Sequence, residues 1–209
     1  MNSTLILKKL HLTGREFVSS EEIKSYCSKL NLSYEKVIRY FVRRKYLIRI
    51  FKGIFYVKSW EEIKYKSIKY SHFELVSKGL ELKGVRNWYF GLYTALKLNN
   101  ATHEYFTIDY VISDNLYRNK PITINNRKFK FHKLKPSLLK FGMNKSKYRY
   151  SDLEKTILDL IYLGVYSAKS KVKILMEISD YTLNLSKSKI RKYVQNYPNS
   201  VKEVIGEIL

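Results

Sequence analysis

Residues 33–57 read SYEKVIRYFVRRKYLIRIFKGIFYV, and this stretch decides the fold. Its first residue is a serine, which is a favoured N-cap of a helix. At about 100° per residue, Val37, Ile38 and Phe41 fall on one face of the helix that follows. Because apolar residues at this spacing form the buried stripe of an amphipathic helix, we predict a helix over residues 33–46.

A β-hairpin is predicted directly after this helix. Residues 47–50 and 54–57 are rich in β-branched and aromatic side chains, and three residues separate them. Gly53 is the last of the three and suits the left-handed position of a three-residue hairpin loop.

Two more helices are predicted before residue 33. Residues 1–12 have an amphipathic pattern that ends before Gly14. Ser19 and Glu22 stand in capping-box relation at the start of the next helix, and Cys27 falls on its apolar face, so we expect Cys27 in the core. Three helices followed by a hairpin are the order of a winged helix-turn-helix domain.

In such a domain the third helix enters the major groove of DNA, and the hairpin lies along the backbone. The face of this helix opposite its apolar stripe is cationic, whereas Tyr34 falls near the stripe and is assigned to packing. Arginine pairs bidentately with guanine, and lysine or arginine neutralises phosphates. The candidate DNA-binding residues are Ser33, Lys36, Arg39, Tyr40, Arg43 and Arg44 on the helix, and Arg49 and Lys52 on the hairpin. The alternative is a charged face that is merely solvated.

The whole chain is strongly basic. Its 209 residues include 40 Lys and Arg against 18 Asp and Glu, for a formal net charge of +22. Such a charge favours a polyanionic partner such as nucleic acid, although a lysine-rich composition can also reflect codon usage or heat adaptation. A single cysteine excludes a disulfide scaffold, and no apolar run suits a signal peptide or a membrane span. We expect a cytoplasmic protein with no membrane partner.

The chain is predicted to be an α+β protein with two domains. Residues 1–58 form the winged helix-turn-helix domain, and residues 59–72 form a connecting helix. Residues 73–209 form a mixed α/β domain with a small antiparallel sheet and terminal helices. Within it, residues 87–98 are predicted as one aromatic-rich helix, and Asn125-Asn126 as a hairpin turn, because asparagine tolerates positive φ.

A second basic region lies between residues 115 and 151, which include eleven basic residues and no acid. Its central members are Arg127, Lys128, Lys130, Lys133 and Lys135. This second basic patch can extend a DNA footprint, meet the acidic active site of another protein, or simply aid solubility. The first of these is slightly favoured.

No catalytic, metal-binding or cofactor-binding motif is present. The four histidines are scattered, and none has Cys, Asp or Glu at metal-ligand spacing. A nuclease hypothesis would use Glu81-Leu82-Lys83 with Asp109 and Asp114, but here the Glu-x-Lys pair precedes the strand instead of ending it, unlike in metal-dependent nucleases. Asp159 lies in an apolar helix and is expected to accept a hydrogen bond. We predict a protein that is not an enzyme and needs no cofactor.

Six short motifs, in a fixed order, resemble those of one known family. They are Phe17-Val18-Ser19, Leu47-Ile48-Arg49, Gly53-Ile54-Phe55-Tyr56, the run from Trp88 to Leu96, Phe141-Gly142, and the run from Tyr150 to Asp159. With these motifs, over about residues 15–165, the chain resembles the AbiEi family of antitoxins. These are the regulator halves of bacterial and archaeal toxin-antitoxin and abortive-infection systems.

The resemblance implies a repressor that binds inverted repeats in its own promoter through the N-terminal domain. It also implies that the second domain opposes a nucleotidyltransferase-like toxin. An operator with inverted repeats needs two copies of the protein, as a homodimer or as monomers that meet on double-stranded DNA. Two alternatives remain, which are a stand-alone regulator without a toxin and a protein-interaction antitoxin whose DNA affinity is incidental.

Overall fold

The computed structural model describes residues 3–208, apart from the side chain of Lys145. Met1 and Asn2 of the expected first helix, and Leu209 at the end of the expected second domain, lie outside the described residues. The helices are α1 (Ser3–Leu12), α2 (Ser20–Lys29), α3 (Tyr34–Arg43), α4 (Trp60–Lys64), α5 (His72–Leu82), α6 (Leu92–Leu98), α7 (Leu153–Tyr166), α8 (Lys171–Ile178), α9 (Lys187–Tyr193) and α10 (Asn199–Ile205).

The strands are β1 (Phe17–Ser19), β2 (Leu47–Phe51), β3 (Ile54–Val57), β4 (Trp88–Phe90), β5 (Ile108–Ser113), β6 (Ile122–Ile124), β7 (Arg127–Lys133), β8 (Met143–Lys145) and β9 (Arg149–Ser151). They form a three-stranded sheet in the order β1-β3-β2 and a six-stranded sheet in the order β6-β7-β5-β4-β9-β8. Helices and two sheets together confirm the mixed α+β class.

The chain divides into two compact units. The first comprises residues 1–84 with 123–126, and the second comprises residues 85–122 with 127–209. The boundary at Gly84 differs from the expected division, which placed residues 59–72 in a connecting helix and residue 73 onward in the second domain.

Packing of α5 explains why the first unit extends to Gly84. This helix lies against β2 and β3. A Cβ atom at Gly79 would lie 2.5 Å from Cγ2 of Ile50 and 2.8 Å from the ring of Phe51, so only glycine permits this approach. The expected connecting helix is also shorter than predicted, since α4 ends at Lys64.

The helices of the first unit begin where their caps indicate. Ser19 Oγ accepts a hydrogen bond from the backbone N–H of Glu22 at 3.2 Å, and Ser33 Oγ accepts one from Lys36 at 3.4 Å. Helix α3 ends at Arg43 rather than near Tyr46, because Lys45 takes a left-handed conformation with φ 58°. The prediction of this helix is therefore confirmed except at its C-terminal end.

The apolar stripe of α3 lies in the core of the first unit. Val37, Ile38 and Phe41 are buried there with residues from α1, α2, β2 and β3. Cys27 belongs to the same cluster and is buried, as expected, and Tyr34 packs against the cluster half-buried.

The six-stranded sheet is mixed rather than antiparallel, contrary to the expectation for the second domain. Strand β4 pairs antiparallel with β5 and parallel with β9, and β5 pairs parallel with β7. Residues 114–126 return the chain to the same end of the sheet before β7 begins, so β5 and β7 run in the same direction. The predicted turn between β6 and β7 is confirmed, since Asn125 and Asn126 have φ 45° and 63°.

The single helix predicted over residues 87–98 is wrong in its first part. Trp88–Phe90 is a strand, and the helix begins only at Leu92. All three residues of β4 are buried between neighbouring strands, which is an environment that favours aromatic side chains in an extended conformation. A Cβ atom at Gly91 would lie 2.6 Å from the side chain of Ile112, so glycine is needed where strand and helix meet.

Candidate nucleic-acid interface

The solvent-facing side of α3 carries three exposed cations without carboxylate partners. Lys36, Arg39 and Arg43 are exposed, while Val37, Ile38 and Phe41 between them point into the core. Within residues 3–208, none of the three forms a salt bridge. Their donors are therefore available to a partner outside the chain.

Ser33 and Glu35 shape the start of this face. The Ser33 hydroxyl caps the helix and also donates a hydrogen bond to Glu35 Oε2 at 3.2 Å. A carboxylate in the first turn is favourable because it opposes the positive end of the helix dipole. Ser33 thus acts in the structure as a cap that begins the helix, at an exposed position.

Tyr40 is half-buried, and its ring packs against other aromatic side chains of the first unit. Its ring packs against Phe41 and Tyr46, with centroid separations of 5.9 and 6.1 Å. The guanidinium of Arg44 lies 5.9 Å from the centre of the Tyr40 ring. Tyr40 therefore holds Arg44 at the C-terminal end of the cationic face.

The hairpin adds two exposed cations to the same unit. Arg49 lies 5.5 Å from the centre of the Phe55 ring, and it lines a groove of about 580 Å³ with Arg39 and Arg43. Lys52 is exposed at the tip of the hairpin. Gly53, with φ 83°, follows it, and its carbonyl accepts a 2.8 Å hydrogen bond from the backbone N–H of Ser20. That bond fixes the tip to the start of α2.

Only some residues of the predicted second basic patch lack a partner within the described chain. Arg127 donates to the buried Asp109 carboxylate, with Nη2–Oδ2 and Nε–Oδ2 distances of 3.2 and 3.3 Å. It also donates to the Tyr105 hydroxyl and the Phe106 carbonyl. This arginine stabilises the sheet and does not belong to a free cationic surface.

The lysines of this patch alternate with buried residues along β7. Phe129 and Phe131 are buried, Lys128 and Lys133 are exposed, and Lys130 is half-buried. Lys135 is exposed beyond the strand. Of the five predicted residues, three are therefore fully open to solvent.

His132 belongs to the half-buried side of the same strand. Its ring stacks on Tyr110 with a centroid separation of 5.9 Å. Burial, together with the nearby charge of Lys130, lowers the pKa of His132 from 6.5 to about 4. This imidazole is neutral at physiological pH and adds no charge to the patch.

A polar cavity of about 610 Å³ lies in the first unit, between α1, β3 and the residues around α4. Glu62 accepts hydrogen bonds there from the Tyr56 hydroxyl at 2.7 Å and from the backbone N–H of Ser59 at 2.8 Å. Burial acts to raise the pKa of Glu62, but the amides of Lys69 and Ser59 outweigh it and hold that pKa below its usual range. The carboxylate is thus held by the chain itself.

The nuclease reading finds no support in the geometry. Among residues 3–208, no three Cys, His, Asp or Glu side chains form a group that could hold a metal ion. Asp109 pairs with Arg127, and Asp114 accepts a 2.7 Å hydrogen bond from Asn87.

Helices long and apolar enough to cross a bilayer are absent from residues 3–208.

Sequence reasoning missed a buried lysine in the second unit. Lys155 is fully buried on α7, and its Nζ lies 2.8 Å from Asp159 Oδ1 and 3.0 Å from the Tyr197 hydroxyl. The Tyr89 and Tyr197 hydroxyls both donate to Asp159, at 2.6 Å. Burial lowers the pKa of Lys155, although Asp159 acts in the opposite direction. The expectation that Asp159 accepts hydrogen bonds is confirmed.

This lysine lies where several of the family-like motifs meet. Phe141 places its ring 5.0 Å from Lys155 Nζ, and a Cβ atom at Gly142 would lie 2.8 Å from the Lys155 Cβ. Asp152 caps α7 by accepting the Lys155 backbone N–H at 2.9 Å. These motif residues therefore pack a core, and Lys155 with Asp159 forms a buried ion pair inside it. The spacing of four residues between them was the available signal.

No family model matches the chain, and no curated protein matches it. Among solved structures, the crystal structure of the RV2827C protein from Mycobacterium tuberculosis is similar, with a TM-score of 0.60 and 8% sequence identity. The similarity covers 99% of this chain and 75% of that chain. At this identity the likeness shows a shared fold and carries no information about activity.

Proposed function

We propose that this chain is a DNA-binding transcriptional repressor whose first unit is a winged helix-turn-helix domain. The observation that carries the proposal is the exposed face of α3, on which Lys36, Arg39 and Arg43 have no carboxylate partner among residues 3–208. The apolar side of α3 is packed in the core, so the arginines on its other side point outward. An unpaired guanidinium on such a helix can donate two hydrogen bonds to guanine in the major groove.

In this proposal the hairpin contacts the DNA backbone and does not read bases. Ile50 and Phe51 are buried, and the tip is bonded to the start of α2, so the hairpin offers DNA only its exposed Arg49 and Lys52. Both are suited to phosphates, which position a protein without specifying sequence. Base readout is therefore assigned to α3 and backbone anchoring to Arg49, Lys52 and Arg44.

We extend the proposal, on the family resemblance alone, to an antitoxin that binds inverted repeats in its own promoter. Its second unit would oppose a nucleotidyltransferase-like toxin. In this proposal the protein is not an enzyme, needs no cofactor and acts in the cytoplasm. A stand-alone regulator without a toxin remains the alternative.

The DNA-binding part is tested by a salt titration of binding to the duplex upstream of the gene, beside a scrambled duplex of equal length. We expect tighter binding to the native duplex, and loss of that preference in the double variant Arg39→Gln/Arg43→Gln. The matched control Arg191→Gln/Lys192→Gln removes the same charge from exposed positions on α9 and should keep the preference. Equal binding of the wild type to both duplexes would contradict the proposal.

The antitoxin part has a separate test. The reading frame next to the gene is expressed alone and together with this chain. We expect the neighbour alone to stop growth and co-expression to restore it. A harmless neighbour would reduce the function to that of a stand-alone regulator and leave the DNA-binding result unaffected.

A further inference from the structure

Two exposed apolar side chains lie one turn apart on α8. Val172 is 66% exposed and Met176 is 74% exposed, whereas Ile174 and Ile178 on the opposite side are buried in the core of the second unit. Leu183, shortly after the helix, is 88% exposed. Val172 and Met176 form a short apolar stripe between charged residues, and packing against another molecule would remove them from water.

The charges around this stripe are of both signs, in a chain of net charge +22. Lys169 Nζ pairs with Glu177 Oε2 at 2.6 Å, and Lys171 Nζ pairs with Glu207 Oε1 at 2.5 Å. Lys173 and Asp180 form no salt bridge with any residue in the range 3–208. Lys173 and Asp180 are therefore free to pair with charges of another molecule. A further carboxylate, Glu104, adjoins the 3₁₀ turn, where it accepts a hydrogen bond from Tyr181 at 3.1 Å.

The charges of Lys173 and Asp180 lie at opposite ends of the stripe. Lys173 is in the first turn of α8, and Asp180 is in the 3₁₀ turn Ser179–Tyr181 that continues the helix. When two such helices pack antiparallel about a twofold axis at Met176, Lys173 of each copy comes beside Asp180 of the other. Val172, four residues before Met176, then adds apolar contact on both sides of the axis. The surface is complementary to itself, as a twofold interface requires.

We infer that two copies of this chain associate through this α8 surface, defined by Val172, Lys173, Met176 and Asp180. The partner is a second copy because Lys173 and Asp180, at opposite ends of the stripe, make the surface complementary to itself. The other exposed apolar helix face offers a contrast. Leu5 and Leu12 on α1 flank the exposed Lys8 and Lys9, so two copies of α1 would repel each other.

The contact is small, and its strength follows from that. Helix α8 has 8 residues and is about 12 Å long, and the apolar stripe from Val172 to Met176 covers about 6 Å of it. An interface of this size belongs to the weak class, with a Kd on the order of 0.1 mM. Two copies held on adjacent half-sites reach an effective concentration of about 1 mM, so the contact would act as cooperativity on an inverted repeat. This consequence rests on the proposed function, whereas the association itself does not.

The test is sedimentation equilibrium of the full chain without DNA, at protein concentrations up to about 1 mM. We expect a reversible monomer–dimer equilibrium, and a Kd raised by about tenfold or more in Met176→Glu. Leu12→Glu, which also places a charge on an exposed apolar position, should leave the Kd unchanged. A wild type that stays monomeric, or equal effects of the two variants, would overturn the inference.

Charge reversal supplies a second arm that does not depend on the apolar stripe. Asp180→Lys alone and Lys173→Glu alone should each weaken the dimer, because each places like charges across the axis. The double variant Lys173→Glu/Asp180→Lys restores opposite charges and should return the Kd to within about threefold of the wild type. Additive weakening in the double variant would contradict the antiparallel arrangement. A dimer in this experiment, together with equal binding to the native and scrambled duplexes, would contradict the proposed function but not the dimer.

Discussion

Arg39 on α3 and Arg127 on β7 both stand in basic stretches of sequence, but their guanidinium groups have different surroundings. Arg39 is exposed and has no carboxylate partner in the described chain. Arg127 has a side chain only 20% exposed and is bonded to Asp109, which is 3% exposed. A cation that balances a buried carboxylate contributes to stability, whereas one without a partner is available for recognition.

The largest expected effect comes from removing the paired arginine. Arg127→Ala leaves the buried Asp109 without its arginine, and we expect the free energy of unfolding to fall by about 3 kcal/mol. Urea unfolding followed by circular dichroism measures this. Lys128→Ala, at the neighbouring exposed position, should change it by no more than about 0.5 kcal/mol. If Arg127→Ala and Lys128→Ala lowered the free energy of unfolding equally, the stabilising role assigned to Arg127 would be contradicted.

The unpaired arginine should show the opposite behaviour. Arg39→Ala should leave unfolding unchanged but cost about 1 to 3 kcal/mol of binding to the native duplex and relax its base preference. Lys52→Ala, at the hairpin tip, should weaken binding to native and scrambled duplexes alike, because the proposal assigns Lys52 to phosphate contact. A uniform loss on both duplexes in Arg39→Ala would remove this residue from base readout.

The exposed lysines of the second basic patch should have a smaller effect. If DNA extends over this patch, Lys128→Gln/Lys133→Gln should lower the slope of log affinity against log salt by about one unit or more. Arg191→Gln/Lys192→Gln removes the same charge elsewhere on the second unit and should leave the slope near that of the wild type. An unchanged slope in the lysine variant would confine the footprint to the first unit.

A pH dependence of stability is also expected around β7 in the second unit. Because the pKa of His132 is about 4 in the folded chain and 6.5 as an ordinary value, the unfolded chain binds a proton in this window that the folded chain excludes. The melting temperature should therefore fall as the pH is lowered from 6.5 towards 4. His132→Gln should flatten this decline, and parallel curves for variant and wild type would contradict the assignment.

Local sequence patterns predicted much of the first unit. The caps at Ser19 and Ser33 and the stripe on α3 involve residues within four positions of each other, so they can be found without knowing the fold. The same holds for the turn at Asn125-Asn126, where the residue type itself favours positive φ. These predictions are confirmed because no distant contact competes with them.

Apart from the C-terminal end of α3, the errors discussed next involve contacts between residues far apart in sequence. Residues 88–90 have a composition that fits a helix or a strand, and only pairing with β5 and β9 selects the strand. The partner of Arg127 is 18 residues away, so a basic stretch conceals a paired member. Helix α5 belongs to the first unit because Gly79 packs closely against Ile50 and Phe51 of β2. The residues next to Gly79 in sequence do not indicate this contact. Whether the exposed face of α3 binds DNA remains a prediction.

The close contact of Gly79 with the hairpin determines where the chain can be cut. A fragment that ends at residue 58 or 72 lacks α5 and leaves Ile50 and Phe51 bare to water, and such a surface aggregates. A fragment that ends at Gly84 keeps the helix and finishes at an exposed turn, where a chain end is well tolerated. Protease trimming of this protein should therefore stop after α5, and any transfer of the first unit to another protein must include that helix.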